Sequence, residues 1–190
     1  MKLWTTMPER VYKETLLKNG EYACDTNMCD MISNDSASGQ FKKAYDWLVD
    51  KMKRSIGAPP KGVKYPVWAW FRLRGRESRP DLRWIEFQGY KEPMVLIEFE
   101  VPDSTVMCSD EVKWSVSLLN DAPWCDTDEE LEWYYESRDS WDKKTAFKEN
   151  SWHRIFDTKC CNNVQATLWC LYMKDVKKVW VYNKHPTENK

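Results

Sequence analysis

Apolar and polar positions follow two different periods along this chain. Phe41, Ala44, Tyr45, Leu48, Val49, Met52 and Ile56 fall at i, i+3, i+4, i+7, i+8, i+11 and i+15. That spacing predicts one long helix with an apolar stripe. Trp47 lies off the stripe, and Gly57-Ala58-Pro59-Pro60 ends the helix. From Val67 to Arg74 the period drops to two. Val67, Ala69, Phe71 and Leu73 point one way, and Trp68, Trp70, Arg72 and Arg74 the other. Met94 to Val101 is a second strand, and its run Val95-Leu96-Ile97 suits an interior position. Val164 to Met173 is a third, with Val164, Ala166, Leu168, Cys170 and Tyr172 on one face. Val176 to Tyr182 is a terminal strand.

Boundary residues add shorter elements. Leu3 to Thr6 reads as a strand. Thr6-Met7-Pro8-Glu9 has the form of a capping box and opens a helix that Gly20 stops. Glu21 to Cys24 is extended, and so is Thr105 to Cys108. Ser109 is placed to cap a helix from Asp110 to Leu119 with Val112, Val116 and Leu119 facing in. Thr127-Asp128-Glu129-Glu130 is a second capping box, for an acidic helix through about Glu136. Residues 137–150 show no decisive period, and Ser151 to Phe156 fits one helical turn. Residues 25–40, rich in Asp, Asn, Ser and Gly, are expected to form a mobile loop, and 183–190 a polar tail. The expectation is one α+β domain over 1–190: a mixed, largely antiparallel sheet with flanking helices.

Composition changes this picture at one point. Twelve of the 190 residues are Trp, several times the usual share. Indoles either fill a core or wall a ligand site, and each carries one N–H that needs a partner when buried. Charged residues are 31% and the net charge is -1, which gives no overall pull toward nucleic acid or membrane. No apolar run is long enough for a membrane span, and the N-terminus lacks the apolar run of a signal peptide. A cytoplasmic location is expected, with the seven cysteines as scattered reduced thiols. Cys24-x4-Cys29 and Cys160-Cys161 near His153 lack the matched spacing of zinc sites, so no metal is assigned.

The near-zero net charge conceals segregation. Lys51, Lys53, Arg54, Lys61, Lys64, Arg72, Arg74, Arg76, Arg79 and Arg83 face only Glu77 and Asp81 within residues 51–83. Between Glu98 and Asp142, fourteen acidic residues face Lys113 and Arg138. The row Trp68-x-Trp70-x-Arg72-x-Arg74 therefore offers stacking surfaces beside phosphate-binding forks, as single strands and nucleotides require. The same row also suits packing beneath the long helix.

Catalytic patterns are sparse. There is no Gly-rich phosphate loop, no nucleophile elbow and no kinase signature. His153 with Cys160 or Cys161 is one conceivable nucleophile pair. Glu98 and Glu100 share a strand face beside Asp103, a pairing that serves acid and base roles or a solvated edge.

Several segments together carry a resemblance. They are Lys2-Leu3-Trp4-Thr5, Phe41-Lys42-Lys43-Ala44-Tyr45-Asp46-Trp47-Leu48, Tyr65-Pro66-Val67-Trp68-Ala69-Trp70, Glu98-Phe99-Glu100-Val101-Pro102-Asp103, Ser151-Trp152-His153-Arg154-Ile155-Phe156-Asp157 and Val164-Gln165-Ala166-Thr167-Leu168-Trp169. In this order they resemble the bacterial and phage family called domain of unknown function 3841. The strand layout also resembles, more weakly, the split sheet of ADP-ribosyltransferases. That likeness implies an NAD site with Trp4, Thr5 and Tyr22 on the nicotinamide side and Gln165 facing the ribose. Gln165 stands where those enzymes place a Glu.

Three functions follow as expectations. One is an interaction protein that binds a host protein or nucleic acid, with no membrane partner. The second is an NAD-dependent ADP-ribosyltransferase-like enzyme acting on a macromolecule, with NAD as cofactor only in that case. The third is a small-ligand binding module that uses indole walls without turnover. The candidate ligand-binding residues are Trp4, Thr5, Tyr22, Trp68, Trp70, Arg72 and Arg74. The candidate catalytic residues are Gln165, Glu98 and Glu100.

Overall fold

Strand β1 (Lys2–Pro8) lies inside a six-stranded sheet in which every described neighbour pair is antiparallel. The computed structural model describes residues 1–24 and 38–183. The other strands of this sheet are β3 (Val67–Arg72), β4 (Met94–Glu100), β5 (Met107–Asp110), β6 (Val164–Leu168) and β8 (Val176–Tyr182). Their order is β5-β6-β3-β1-β4-β8. Strands β2 (Glu21–Ala23) and β7 (Cys170–Tyr172) form a separate pair. The fold is α+β.

Successive strand residues point to opposite faces, so the pairing register sorts the side chains. Leu3, Met7, Val67, Ala69, Val95, Ile97, Phe99, Ala166 and Leu168 share one face. They form a continuous apolar core, closed by Leu16 and Leu171. Leu16 comes from the helical segment of α1 (Glu9–Val11) and the π-helical turn Tyr12–Leu17, and Leu171 from β7.

The opposite face is covered in two parts. Over the β5-β6-β3 end lie α2 (Ser38–Ile56), α3 (Glu111–Leu119) and the turn Ser151–Phe156. Ala44, Tyr45, Leu48, Met52, Trp114, Leu118, Trp152 and Ile155 pack there against Met107 and Trp68. Over the β1-β4-β8 end, the connection between β3 and β4 supplies Leu73, Leu82, Trp84 and Phe87, packed on Trp4, Leu96, Trp70 and Trp180. Helices α4 (Asp128–Glu136) and α5 (Trp141–Asn150) complete the chain's helical side. Among the described residues, no helix is long and apolar enough to cross a membrane.

Several boundaries differ from the sequence reading. Thr6 caps nothing: β1 runs on to Pro8, with Thr6, Met7 and Pro8 paired to Leu96, Val95 and Met94. Ladder pairing to a buried partner strand outweighs a local cap. Strand β3 stops at Arg72, where its register to β6 shifts after Trp70, and Arg74 takes φ 52° in the turn that follows. The stretch Val164–Met173 is two strands in two sheets, broken at Trp169, whose indole N–H donates to the Gly57 carbonyl at 2.9 Å. The facing set shifts by one residue across this break. Ala166 and Leu168 share a core with Leu171, while Cys170 and Tyr172 pack into the helical cluster, so the single face expected for Val164, Ala166, Leu168, Cys170 and Tyr172 does not form.

Helix α3 begins one residue later than expected. Asp110, not Ser109, caps it, accepting from the Lys113 N–H at 3.0 Å. Trp114 and Leu118 then face inward, while Val112 and Leu119 are exposed. The unassigned stretch 137–150 contains α5, capped by Ser140. Of the expected mobile loop 25–40, residues 38–40 open α2, and 25–37 lie outside the described residues, as do Cys29 and 184–190. Asn183 is described, and its amide nitrogen donates to the carbonyls of Tyr90 and Glu92.

Candidate functional site

The two-part cover leaves a seam, and a cleft of about 170 Å³ opens along it. Thr5, Thr6, Trp68, Ala69, Trp70 and Gln165 line it, from three adjacent strands: β1, β3 and β6. The seam follows from one pair of residues. Trp68 and Trp70 lie two apart on β3 and share a face. Trp68 packs into the helical cluster, with its ring 5.3 Å from Trp114 and 6.3 Å from Tyr45, and Trp70 packs into the other cluster.

Register places a row of side chains across this face: Ser109, Gln165, Trp70, Trp4, Glu98 and Lys178 stand directly opposite one another on successive strands. Gln165 Oε1, Ser109 Oγ and Trp68 Nε1 are buried and have no hydrogen-bond partner among the described residues. Ser109 is 1% exposed. A buried polar group without a partner costs about 1–3 kcal/mol, so three on neighbouring strands beside one cleft call for a reason. Their neighbours are satisfied: Thr5 Oγ1 donates to the Trp68 carbonyl at 2.7 Å and Thr167 Oγ1 to the Met107 carbonyl at 3.0 Å.

A family model, Domain of unknown function (DUF3841), matches residues 2–177. The chain belongs to this family. No curated protein and no solved structure matches it.

Within this DUF3841 chain the candidate residues separate. Thr5, Trp68, Trp70 and Gln165 meet at the cleft. Trp4 lies on the same face but is buried, with its indole N–H donating to Glu98 Oε2 at 3.3 Å. Tyr22 is not part of the cleft: β2 pairs with β7, and Tyr22 packs against the core of the opposite sheet face. Glu98 and Glu100 do share a face, and each lies 3.8 Å from the Lys2 amine. Glu98 and Gln165 are three strand spacings apart, about 14 Å, with Trp70 and Trp4 between them. Sequence reasoning missed Ser109 as a cleft neighbour because it assigned that side chain to a cap. The adjacent Asp110, an equally good capping residue, was the available signal.

The expected row of two indoles and two guanidiniums does not form. Arg72 donates to Glu77 Oε1 from Nε at 2.9 Å and from Nη2 at 2.5 Å, and its Nη1 reaches the Cys161 carbonyl at 3.1 Å. Arg74 holds both carboxylate oxygens of Glu86 at 3.0 Å and lies over the Trp84 ring. Both forks are filled by local carboxylates, so neither is left unpaired for a phosphate.

The cysteine readings resolve similarly. His153 is exposed, with Nδ1 against the Asn150 carbonyl. The Cys161 thiol donates to Asp110 Oδ2 at 2.8 Å. Burial and that carboxylate push it up to about 11, so it stays protonated at neutral pH and is a poor nucleophile. Among the described residues, no three His, Cys, Asp or Glu side chains are placed to hold a metal ion.

Proposed function

We propose that this chain binds a small, planar, hydrogen-bonding ligand of nucleotide type in the seam cleft, between the indoles of Trp68 and Trp70. The observation that carries this reading is the set of partnerless buried atoms, Gln165 Oε1, Ser109 Oγ and Trp68 Nε1, on the strands around it. An acceptor, a hydroxyl and an N–H beside aromatic walls match the donor and acceptor edge of a base or a carboxamide. The volume suits one ring system, not a whole dinucleotide.

NAD is the ligand if the ADP-ribosyltransferase-like alternative holds. That alternative is supported by the position of Gln165 beside the cleft and opposed by its chemistry. An amide carries no negative charge to stabilise an oxocarbenium-like state, and the carboxylate on the same row, Glu98, sits behind Trp4. Binding without transfer therefore fits these residues best. Capture of a host protein in a bacterial or phage setting is the second reading, favoured by an exposed acidic helix considered below. Nucleic acid loses its main support once Arg72 and Arg74 are paired with Glu77 and Glu86.

Thermal shift with NAD, ADP-ribose, ATP, short single-stranded DNA and short RNA tests the proposal, because a ligand that binds only the folded chain raises its melting temperature. A rise with a nucleotide that disappears in Gln165→Leu and Trp70→Ala is the expected result. No rise with any nucleotide, or one unchanged in both variants, removes the cleft from consideration.

A further inference from the structure

Helix α4 carries a surface that none of the described residues covers. At 100° per residue, Leu131 and Tyr135 lie together along one edge of its outer arc. They are 45% and 63% exposed. Asp128, Glu132, Glu136 and Glu129 continue around that arc, and all four are exposed. Beyond this acidic ridge the surface turns apolar again. Trp133 and Phe147 of α5 meet edge to face at 5.1 Å and line a groove of about 320 Å³ with Glu129 and Glu130. Trp141, at the start of α5, is 70% exposed.

The ridge has no counter-charge of its own. None of Asp128, Glu129, Glu132 or Glu136 forms an ion pair with a described residue. The nearby cations are engaged elsewhere: Lys143 on Asp139, Lys144 over the Tyr134 ring and Arg154 on Asp126 and Glu130. Arg138, just past the helix, pairs with none of the four. Asp128 and Glu132, like Glu132 and Glu136, stand four residues apart, where like charges oppose a helix. Glu136 also lies at the end where the helix dipole disfavours an anion.

We propose that the outer arc of α4 docks a basic amphipathic segment of a partner protein. Such a segment lays aliphatic side chains along Leu131 and Tyr135, and its Lys or Arg stems cross that apolar edge and bring their charges to the acidic ridge beside it. Charge complementarity selects this occupant, and the same sign repels nucleic acid and anionic lipid.

The test titrates the whole chain into a fluorescent synthetic helix of leucine and lysine in amphipathic order, read by anisotropy. A matching helix of leucine and glutamate is the control. The expected result is binding by the basic helix alone, weakened by salt. Leu131→Ser/Tyr135→Ser and Glu132→Lys should each weaken it by at least about tenfold while leaving the melting temperature unchanged. Equal binding by wild type and both variants, or by both helices, overturns the proposal. So does self-association in sedimentation that the same substitutions abolish, which would make a second copy of the chain the occupant.

Discussion

The two faces of the six-stranded sheet solve the covering problem differently. One is sealed by a continuous apolar layer from Leu3 to Leu171. The other is covered by two bodies that meet over Trp68 and Trp70. The sealed face contributes stability through close packing, where any missing volume is felt. The divided face gives up some of that packing, and at its seam polar atoms of Ser109, Gln165 and Trp68 lie buried without partners among the described residues. A cleft whose interior is costly to leave unmatched is one that a ligand stabilises.

The largest expected effect probes the sealed face. Phe99 is fully buried there, and Phe99→Ala should destabilise the chain by about 3–4 kcal/mol in chemical denaturation, through lost burial and the cavity left behind. A cost below about 1 kcal/mol would mean that this face is not the rigid one.

Next comes the latch that holds the divided face's cover. Arg154, in the turn Ser151–Phe156, places both terminal nitrogens 2.8 Å from Glu130, its Nε 2.8 Å from Asp126, and donates to the Trp124 carbonyl. Arg154→Ala should cost about 2 kcal/mol, less than a deep ion pair because its partners reach solvent. Equal melting temperatures for variant and wild type would show that packing of Trp152 and Ile155 alone holds the turn.

The same latch gives the divided face a pH dependence that the apolar face lacks. Hydrogen bonding from Arg154, and from the Asp126 N–H, lowers the Glu130 carboxyl from its ordinary 4.5 to about 2. A carboxyl lowered on folding adds stability above its unfolded value, and that stability is lost as pH falls toward the folded one. Acidification from about pH 4.5 to about pH 2 should therefore lower the wild-type melting temperature more than that of Arg154→Ala. Parallel curves would assign acid sensitivity to other carboxylates.

The smallest expected effect is the sharpest. Gln165→Leu and Ser109→Ala remove partnerless polar groups, so each should leave stability unchanged within about 0.5 kcal/mol or raise it slightly. A loss of about 2 kcal/mol in either would mean that these atoms are satisfied within the folded chain and that the seam is ordinary core.

The period-3.6 stripe of Phe41–Ile56 was legible in the residues because local spacing and burial agree there, and the terminal strand Val176–Tyr182 was legible from its β-branched and aromatic residues. So was the cap of α4, where Thr127 accepts from the Glu130 N–H at 3.2 Å. The site was half legible. Thr5, Trp68, Trp70 and Gln165 were chosen as candidates, and the sheet gathers them. Tyr22, Arg72 and Arg74 were chosen on the same grounds, and the sheet sends them elsewhere.

Sequence alone determined which side chains share a face within each unbroken strand, because alternation is a property of the backbone. It failed at Leu73 and at Cys170 and Tyr172, which lie past the ends of β3 and β6 and pack on the other side. It also determined the acidic character of α4. Tertiary structure decided which strands neighbour which, that Ser109 stays in β5 while Asp110 caps the helix, and that Glu77 and Glu86 fill the two guanidiniums. Strand order depends on pairings between residues far apart in the chain, and it also fixes where β3 and β5 stop, which leaves Arg72, Arg74 and Asp110 to their local partners. Only closing the sheet brings β1, β3 and β6 side by side and sets the seam between the two bodies that cover them.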